Sequence, residues 1–208
     1  MKDIFKKLGA VGSEYAPIPF WSWNNRLEKD KLLAQIRDMK AAGMGGFIIH
    51  ARTGLTTEYL SEEWFALVEA CLDEAKALGM NAWIYDENGW PSGFVGGRLL
   101  EEEENFAPYL VKEERTEFDE TAFAVFEKTG AGLRRLQKGE VSGDGIYHTV
   151  YVRRSPANTD ILEPKVVDKF LALTHEEYYR RFSERFGKEL VGFFTDEPQY
   201  FRLSLIHI

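Results

Sequence analysis

Two places in this 208-residue sequence set carboxylates directly behind an apolar run: Asp86-Glu87 after Ala82-Trp83-Ile84-Tyr85, and Asp196-Glu197-Pro198 after the stretch from Leu190 to Thr195. His50 and Arg52 follow Gly46-Phe47-Ile48-Ile49 in the same way, and Trp21, Trp23, Asn24 and Asn25 close the first apolar segment, which starts at Pro17. A further tryptophan, Trp90, lies in the turn Gly89-Trp90-Pro91-Ser92-Gly93. Aromatic rings beside carboxylates, amides and one arginine suit a neutral polyhydroxylated ligand, whose C–H faces stack while its hydroxyls are hydrogen-bonded.

The reaction such a set can perform is cleavage of a glycosidic bond. It needs one carboxylic acid to protonate the leaving oxygen and a second carboxylate as nucleophile or as base for water. Glu197 is the expected acid: its place behind apolar residues predicts poor solvation and a carboxyl pKa pushed upward, which keeps the proton available. Pro198 would fix the turn, and Asp196 would orient a neighbour or hold substrate. Asp86 and Glu87 could bind hydroxyls or help hold a cation, and His50 with Arg52 could grip an anion or a hydroxyl pair. Each assignment has a plainer rival. Glu197 could cap a following helix, Asp86 and Glu87 could organise a loop, His50 could be a hydrogen-bonded strand-end histidine, and Trp21 and Trp23 could be core aromatics. Trp90 is the tryptophan whose loop buries it least cheaply.

Several chemistries lack their residues. There is no His-x-His pair and no His-Glu-x-x-His for zinc, no Gly-x-Ser-x-Gly elbow, and no Gly-x-Gly-x-x-Gly behind the first strand. Cys71 is the single cysteine, and its apolar helical stripe predicts a core thiol, with no intrachain disulfide and no cysteine metal site. A net charge of -8 opposes nucleic-acid binding. No run of about 18 apolar residues predicts a membrane span, and Met1-Lys2-Asp3-Ile4-Phe5-Lys6-Lys7 lacks the apolar core of a signal peptide. A cytoplasmic chain with no membrane or nucleic-acid partner is expected; its oligomeric state is left open.

The elements that must position these residues follow one grammar: amphipathic helix, glycine, short link, apolar strand. A helix over Glu28 to Ala42 carries Leu32, Leu33, Ile36 and Met39 on one stripe and stops at Gly43. A second opens at Ser61 as N-cap, with Glu62 and Glu63 complementing its dipole, and ends at Gly79. A third begins at Thr174, where Thr174 and Glu177 fit a capping box, and ends at Gly187. Near-continuous apolar strands joined by helices predict a parallel sheet. The long excursion from Asn88 to Leu173 exceeds an ordinary connection, and predicts short antiparallel strands over 106–113, 121–128, 133–137 and 146–153 between glycine-rich turns. Glu101 to Glu104 reads as a solvated entry helix.

The expected fold is therefore α/β: a partial (β/α)8 barrel, its first four βα units, with a small antiparallel insertion after the third strand. Residues 1–105 hold strands 1–3 and helices 1–2, residues 106–160 the inserted subdomain, and residues 161–202 helix 3 and strand 4. Residues 203–208, Leu-Ser-Leu-Ile-His-Ile, read as the translation of a sequencing adapter, with native sequence expected to stop near Arg202. A complete barrel has eight strands and about 250 residues, so the chain is expected to be a fragment lacking the second carboxylate and inactive alone.

Phe20-Trp21-Ser22-Trp23-Asn24, Met39-Lys40-Ala41-Ala42-Gly43-Met44-Gly45-Gly46, Tyr85-Asp86-Glu87-Asn88-Gly89-Trp90-Pro91-Ser92-Gly93 and Thr195-Asp196-Glu197-Pro198 together resemble the N-terminal barrel of bacterial glycosyl hydrolases related to the α-L-rhamnosidases of glycoside hydrolase family 106. The resemblance covers roughly residues 15 to 100 and 174 to 201. It implies a catalytic (β/α)8 domain acting on an oligosaccharide or glycoside, carboxylate catalysts, no obligatory cofactor and room for a calcium ion. It does not make rhamnose the substrate, because the Asp196-Glu197-Pro198 ending departs from the rhamnosidase pattern. A glutamate after the fourth strand also suits the acid/base of large retaining glycosidases, whose nucleophile comes from the seventh. Two other readings stand beside hydrolysis: a non-catalytic carbohydrate-binding barrel, and a metal-dependent barrel lyase or isomerase using Asp86 and Glu87.

Overall fold

The computed structural model describes residues 15–199, so the N-terminal segment read for export signals and the six-residue tail lie outside the described residues. The architecture is mixed α/β. A four-stranded parallel sheet is built from β1 (Phe20–Asn25), β2 (Gly46–Leu55), β3 (Asn81–Asn88) and β8 (Leu190–Phe194), in the order β1-β2-β3-β8. A second, antiparallel sheet contains β4 (Phe106–Arg115), β5 (Ala124–Thr129), β6 (Gly132–Leu136) and β7 (Tyr147–Thr159), in the order β4-β7-β5-β6. These four strands fall close to the segments expected from the turn residues.

Helices α1 (Lys29–Ala41) and α2 (Glu62–Leu78) cover one face of the parallel sheet. Ser61 caps α2 by accepting from the Trp64 amide, and Gly79 ends it in the left-handed conformation (φ 60°, ψ 45°). The stripe of α1 buries Leu32 and Ile36 fully, with Leu33 and Met39 packed at the margin. At the start of β2 only glycine fits: a Cβ on Gly46 would stand 2.1 Å from the carbonyl oxygen of Asn81 on the paired strand. The third helical region differs from expectation. It is two helices, α3 (Pro164–Leu173) and α4 (His175–Phe182), joined at Thr174. Pro164 at the first turn marks the start of α3. The Thr174 hydroxyl does not cap α4; it donates back to the Phe170 carbonyl at 2.7 Å, because it already stands at the end of α3. Glu101 ends one 3-10 turn and Glu103 and Glu104 open the next, with Glu102 extended between them and Lys169 of α3 bridging Glu102 and Glu104. Among the described residues, no helix is long and apolar enough to cross a membrane.

The parallel strands alternate cleanly. Trp21, Trp23, Phe47, Ile49, Ala51 and Ile84 point toward the helices and form the main core with Trp64, Val68, Cys71 and Leu72. Cys71 is fully buried there, and burial raises its thiol pKa far out of the reactive range. Register places Phe20 beside Ile48, Ser22 beside His50, Ile48 beside Trp83 and Tyr85 beside Phe194 on the opposite, open face.

Candidate functional site

On the open face, near the C-terminal strand ends, four rings form one cluster. The His50 imidazole stacks on Tyr85 with ring centroids 3.5 Å apart, Phe194 lies parallel on the other side at 6.0 Å, and Phe20 crosses edge-on to Phe194 at 4.9 Å. Phe20 is half exposed whereas Tyr85 and His50 are buried, so the cluster offers solvent an aromatic edge over a rigid base. His50 Nε2 lies 3.3 Å from the Gly89 carbonyl, an arrangement that selects the Nε2–H tautomer. Burial lowers the His50 pKa, the Gly89 contact opposes this, and the charges of Arg52 and Asp196 then act in opposite directions. The Tyr85 hydroxyl donates to Asp196 Oδ2 at 2.9 Å; burial first, and that carboxylate second, push its pKa well up, so it stays a donor. Arg52 is exposed at the same rim.

Behind this face the carboxylates of β3 do a different job. Glu87 is buried and accepts five backbone N–H groups: Oε1 from Asn88 at 2.8 Å and from Gly96, and Oε2 from Gly93 at 3.1 Å, Phe94 at 2.7 Å and Val95 at 2.8 Å. Gly89, Gly93 and Gly96 take positive φ values of 107°, 120° and 63°, which lets the loop wrap its amides around one side chain. Asp86, fully buried, accepts from Ser92 Oγ at 2.6 Å and Thr195 Oγ1 at 2.5 Å, with His175 Nε2 3.6 Å away. His175 also lines an apolar cavity of about 290 Å³ with Phe170, Leu171 and Pro198, and desolvation lowers its pKa, against the pull of Asp86. Ser92 completes the link: its amide donates to the Asp196 carbonyl and its Oγ accepts from the Asp196 amide, both at 2.9 Å. Asp86 thus fastens the β3 loop to the exit of β8, where Glu197 follows.

Glu197 is exposed and holds a non-glycine φ of 41° directly before Pro198. Such a backbone is uncommon outside glycine and costs about 1–3 kcal/mol. The expectation that it would be poorly solvated is corrected: Glu197 lies past the end of the apolar strand and is exposed. Trp21 and Trp23 are also corrected. They point to the helices, with Trp21 Nε1 donating to Gln35 at 2.8 Å and Trp23 edge-on to Trp64 at 5.0 Å, because their strand parity is opposite to that of Phe20 and Ser22. Asp86 and Glu87 face their own loop and neighbours, not the open face. Their oxygens are occupied by N–H and O–H donors, a set that does not fit a cation. Among the described residues no group of three or more His, Cys, Asp or Glu side chains could hold a metal ion. Asn24 is exposed at the end of β1, and Trp90 is 43% exposed, following Gly89 and preceding Pro91 through a cis peptide bond.

The structure therefore brings His50, Arg52 and Asp196 to one rim, with Glu197 next in the chain. Phe20, Tyr85 and Phe194 were not singled out from the sequence, although alternation along the strands would have found them. Ser92, Thr195 and His175 carried no such signal, since their role depends on a buried partner more than 80 residues away in two of the three cases.

No family model matches the sequence, and no curated protein matches it. Among solved structures the chain is similar to the structure of rhamnosidase from Novosphingobium sp. PP1Y, at 20% identity and a TM-score of 0.41, over 56% of this chain. The chain spans 11% of the length of that structure.

Proposed function

We propose that the parallel sheet is the first four βα units of a (β/α)8 barrel and that its open face is part of a glycoside hydrolase active site, with Glu197 as the general acid or acid/base. The observation that carries this reading is the placement of Glu197: a strained, exposed carboxyl at the exit of β8, next to Asp196, which accepts from Tyr85 of the aromatic floor and is held by Ser92. In barrels the chemistry sits at the C-terminal strand ends, and that is where His50, Arg52, Asp196 and Glu197 emerge. An aromatic edge supplied by Phe20 and Phe194 suits the C–H face of a sugar, while Arg52 and Asp196 suit its hydroxyls; exposed Trp90 and Asn24 are assigned to further contacts with the same ligand. Asp86 and Glu87 hold the loops and do not touch substrate in this scheme.

The proposal requires a bound sugar to close over Glu197 and exclude water from the leaving oxygen. The second carboxylate is supplied from outside the described residues, on a later strand of the same barrel. Among the described residues the proposed barrel part is then 15–105 and 161–199, with 106–160 inserted between them.

The test is hydrolysis of a panel of aryl glycosides by the polypeptide carrying the whole reading frame, compared with Glu197→Gln. A loss of about 10³-fold or more in kcat with little change in KM is expected. Undiminished turnover by the variant removes the assignment, and glycan binding without any turnover by the wild type favours a carbohydrate-binding barrel instead.

A further inference from the structure

A second concave surface lies on the antiparallel sheet, on residues the glycosidase reading does not use. A cavity of about 430 Å³ is lined by Arg115, Asp119, Thr121, Phe123, Tyr151 and Arg153, together with Val152. Two of its arginines share the Tyr151 ring. The Arg115 guanidinium carbon stands 5.7 Å and that of Arg153 5.3 Å from the ring centroid. The Tyr151 hydroxyl donates to Asp119 Oδ2 at 2.5 Å, and Asp119 Oδ1 accepts from the Thr121 amide at 2.8 Å and the Thr121 hydroxyl at 2.6 Å. These bonds hold the Asp119 carboxyl down at about 2, so it is an ionised acceptor at any physiological pH.

The charges are unevenly matched. Arg115 has Glu113 at 2.7 Å, whereas Arg153 forms no salt bridge among the described residues. Two guanidiniums on one ring repel each other. Phe123, 62% exposed, borders the same cavity and leaves a large apolar ring in water. A ligand that satisfies all three features must carry an anionic group for Arg153, a hydroxyl donor for the remaining lone pairs of Asp119, and an apolar face for Phe123. Sulfate has neither of the last two, and inorganic phosphate has no apolar face.

We propose that this surface binds an acidic saccharide, a chain containing uronic acid residues, with the carboxylate on Arg153 and Arg115, a ring hydroxyl on Asp119 and a sugar face on Phe123. The site is independent of Glu197: it makes the inserted sheet a saccharide-binding surface whatever the parallel sheet does.

The experiment is calorimetric titration of the full chain with trigalacturonate and, in parallel, with neutral galactotriose at low salt. Trigalacturonate is expected to bind at least tenfold more tightly than the neutral trisaccharide, and to weaken as salt rises from about 50 mM to about 500 mM. Arg153→Gln and Phe123→Ala each remove an exposed side chain, so the fold is retained, and each should weaken binding about tenfold; Glu197→Gln should leave it unchanged. Equal affinity for the neutral trisaccharide, unaltered binding by Arg153→Gln, or no binding of trigalacturonate at millimolar concentration overturns the proposal. Loss of binding in Glu197→Gln overturns it too, by moving the interaction to the other sheet.

Discussion

The two faces of the parallel sheet are made from the same strands, one residue apart, and have opposite fates. Trp21 and Trp23 face α1 and α2 and are sealed in the core, while Phe20, between Pro19 and Trp21, stands half exposed over His50 and Tyr85 on the open face. The difference teaches that strand parity decides which ring is sealed in the core and which stays on the open face, and that ring type alone does not. It also separates two kinds of carboxylate. Those on β3 are consumed by the loop they organise, whereas Asp196 and Glu197 beyond β8 remain at the rim.

The contrast is broken most severely by truncating one ring on each face. Trp23→Ala should lower unfolding stability by about 3–5 kcal/mol, the range for a large aromatic removed from a packed core, while Phe20→Ala should cost less than about 1 kcal/mol. Urea denaturation of both variants checks this, and equal losses would erase the distinction between the faces. Next in size is Glu87→Gln. The amide replaces one acceptor oxygen by a donor, leaving at least two of five backbone N–H groups opposed by a donor or unpaired, and about 2–4 kcal/mol should be lost. Proteolysis should then begin in residues 88–96, and a cut elsewhere would contradict the loop-organising role.

Tyr85→Phe sharpens the picture at the rim. It removes the hydrogen bond to Asp196 and should cost about 1 kcal/mol. The smallest expected effect is one of pH. Burial lowers the pKa of His50 and His175 in the folded chain, so between those values and the ordinary imidazole pKa of about 6.5 the unfolded chain binds more protons. Their neutral-state contribution is fully present above about pH 6.5 and fades as pH falls through the folded pKa values. Thermal midpoints should therefore rise from pH 5 to pH 7, and His50→Gln should flatten part of that rise.

The fold was legible where one local signal decides an element. Ser61 and Gly79 bracket α2, and the turns Thr129-Gly130-Ala131-Gly132 and Ser142-Gly143-Asp144-Gly145 announce the antiparallel strands. The break at Thr174 was misread because its hydroxyl has two backbone partners within reach, one ahead as a cap and one behind, and the end of α3 takes it. At the site, the sequence located the strand ends and hence His50, Arg52, Asp196 and Glu197. It could not tell which carboxylates were free. That depends on the five amides of residues 88–96 folding around Glu87, and on Ser92 and Thr195 reaching Asp86.

The most direct measurement is a saccharide titration followed by NMR of the imidazole resonances. The chain has only four histidines, one on the open face, one on the antiparallel sheet, one beside Asp86 and one at residue 207. A neutral glycoside that occupies the proposed site should shift His50 and leave His148 unmoved. Saturable binding that shifts His148 while His50 stays still would contradict the assignment of the open face as the sugar site.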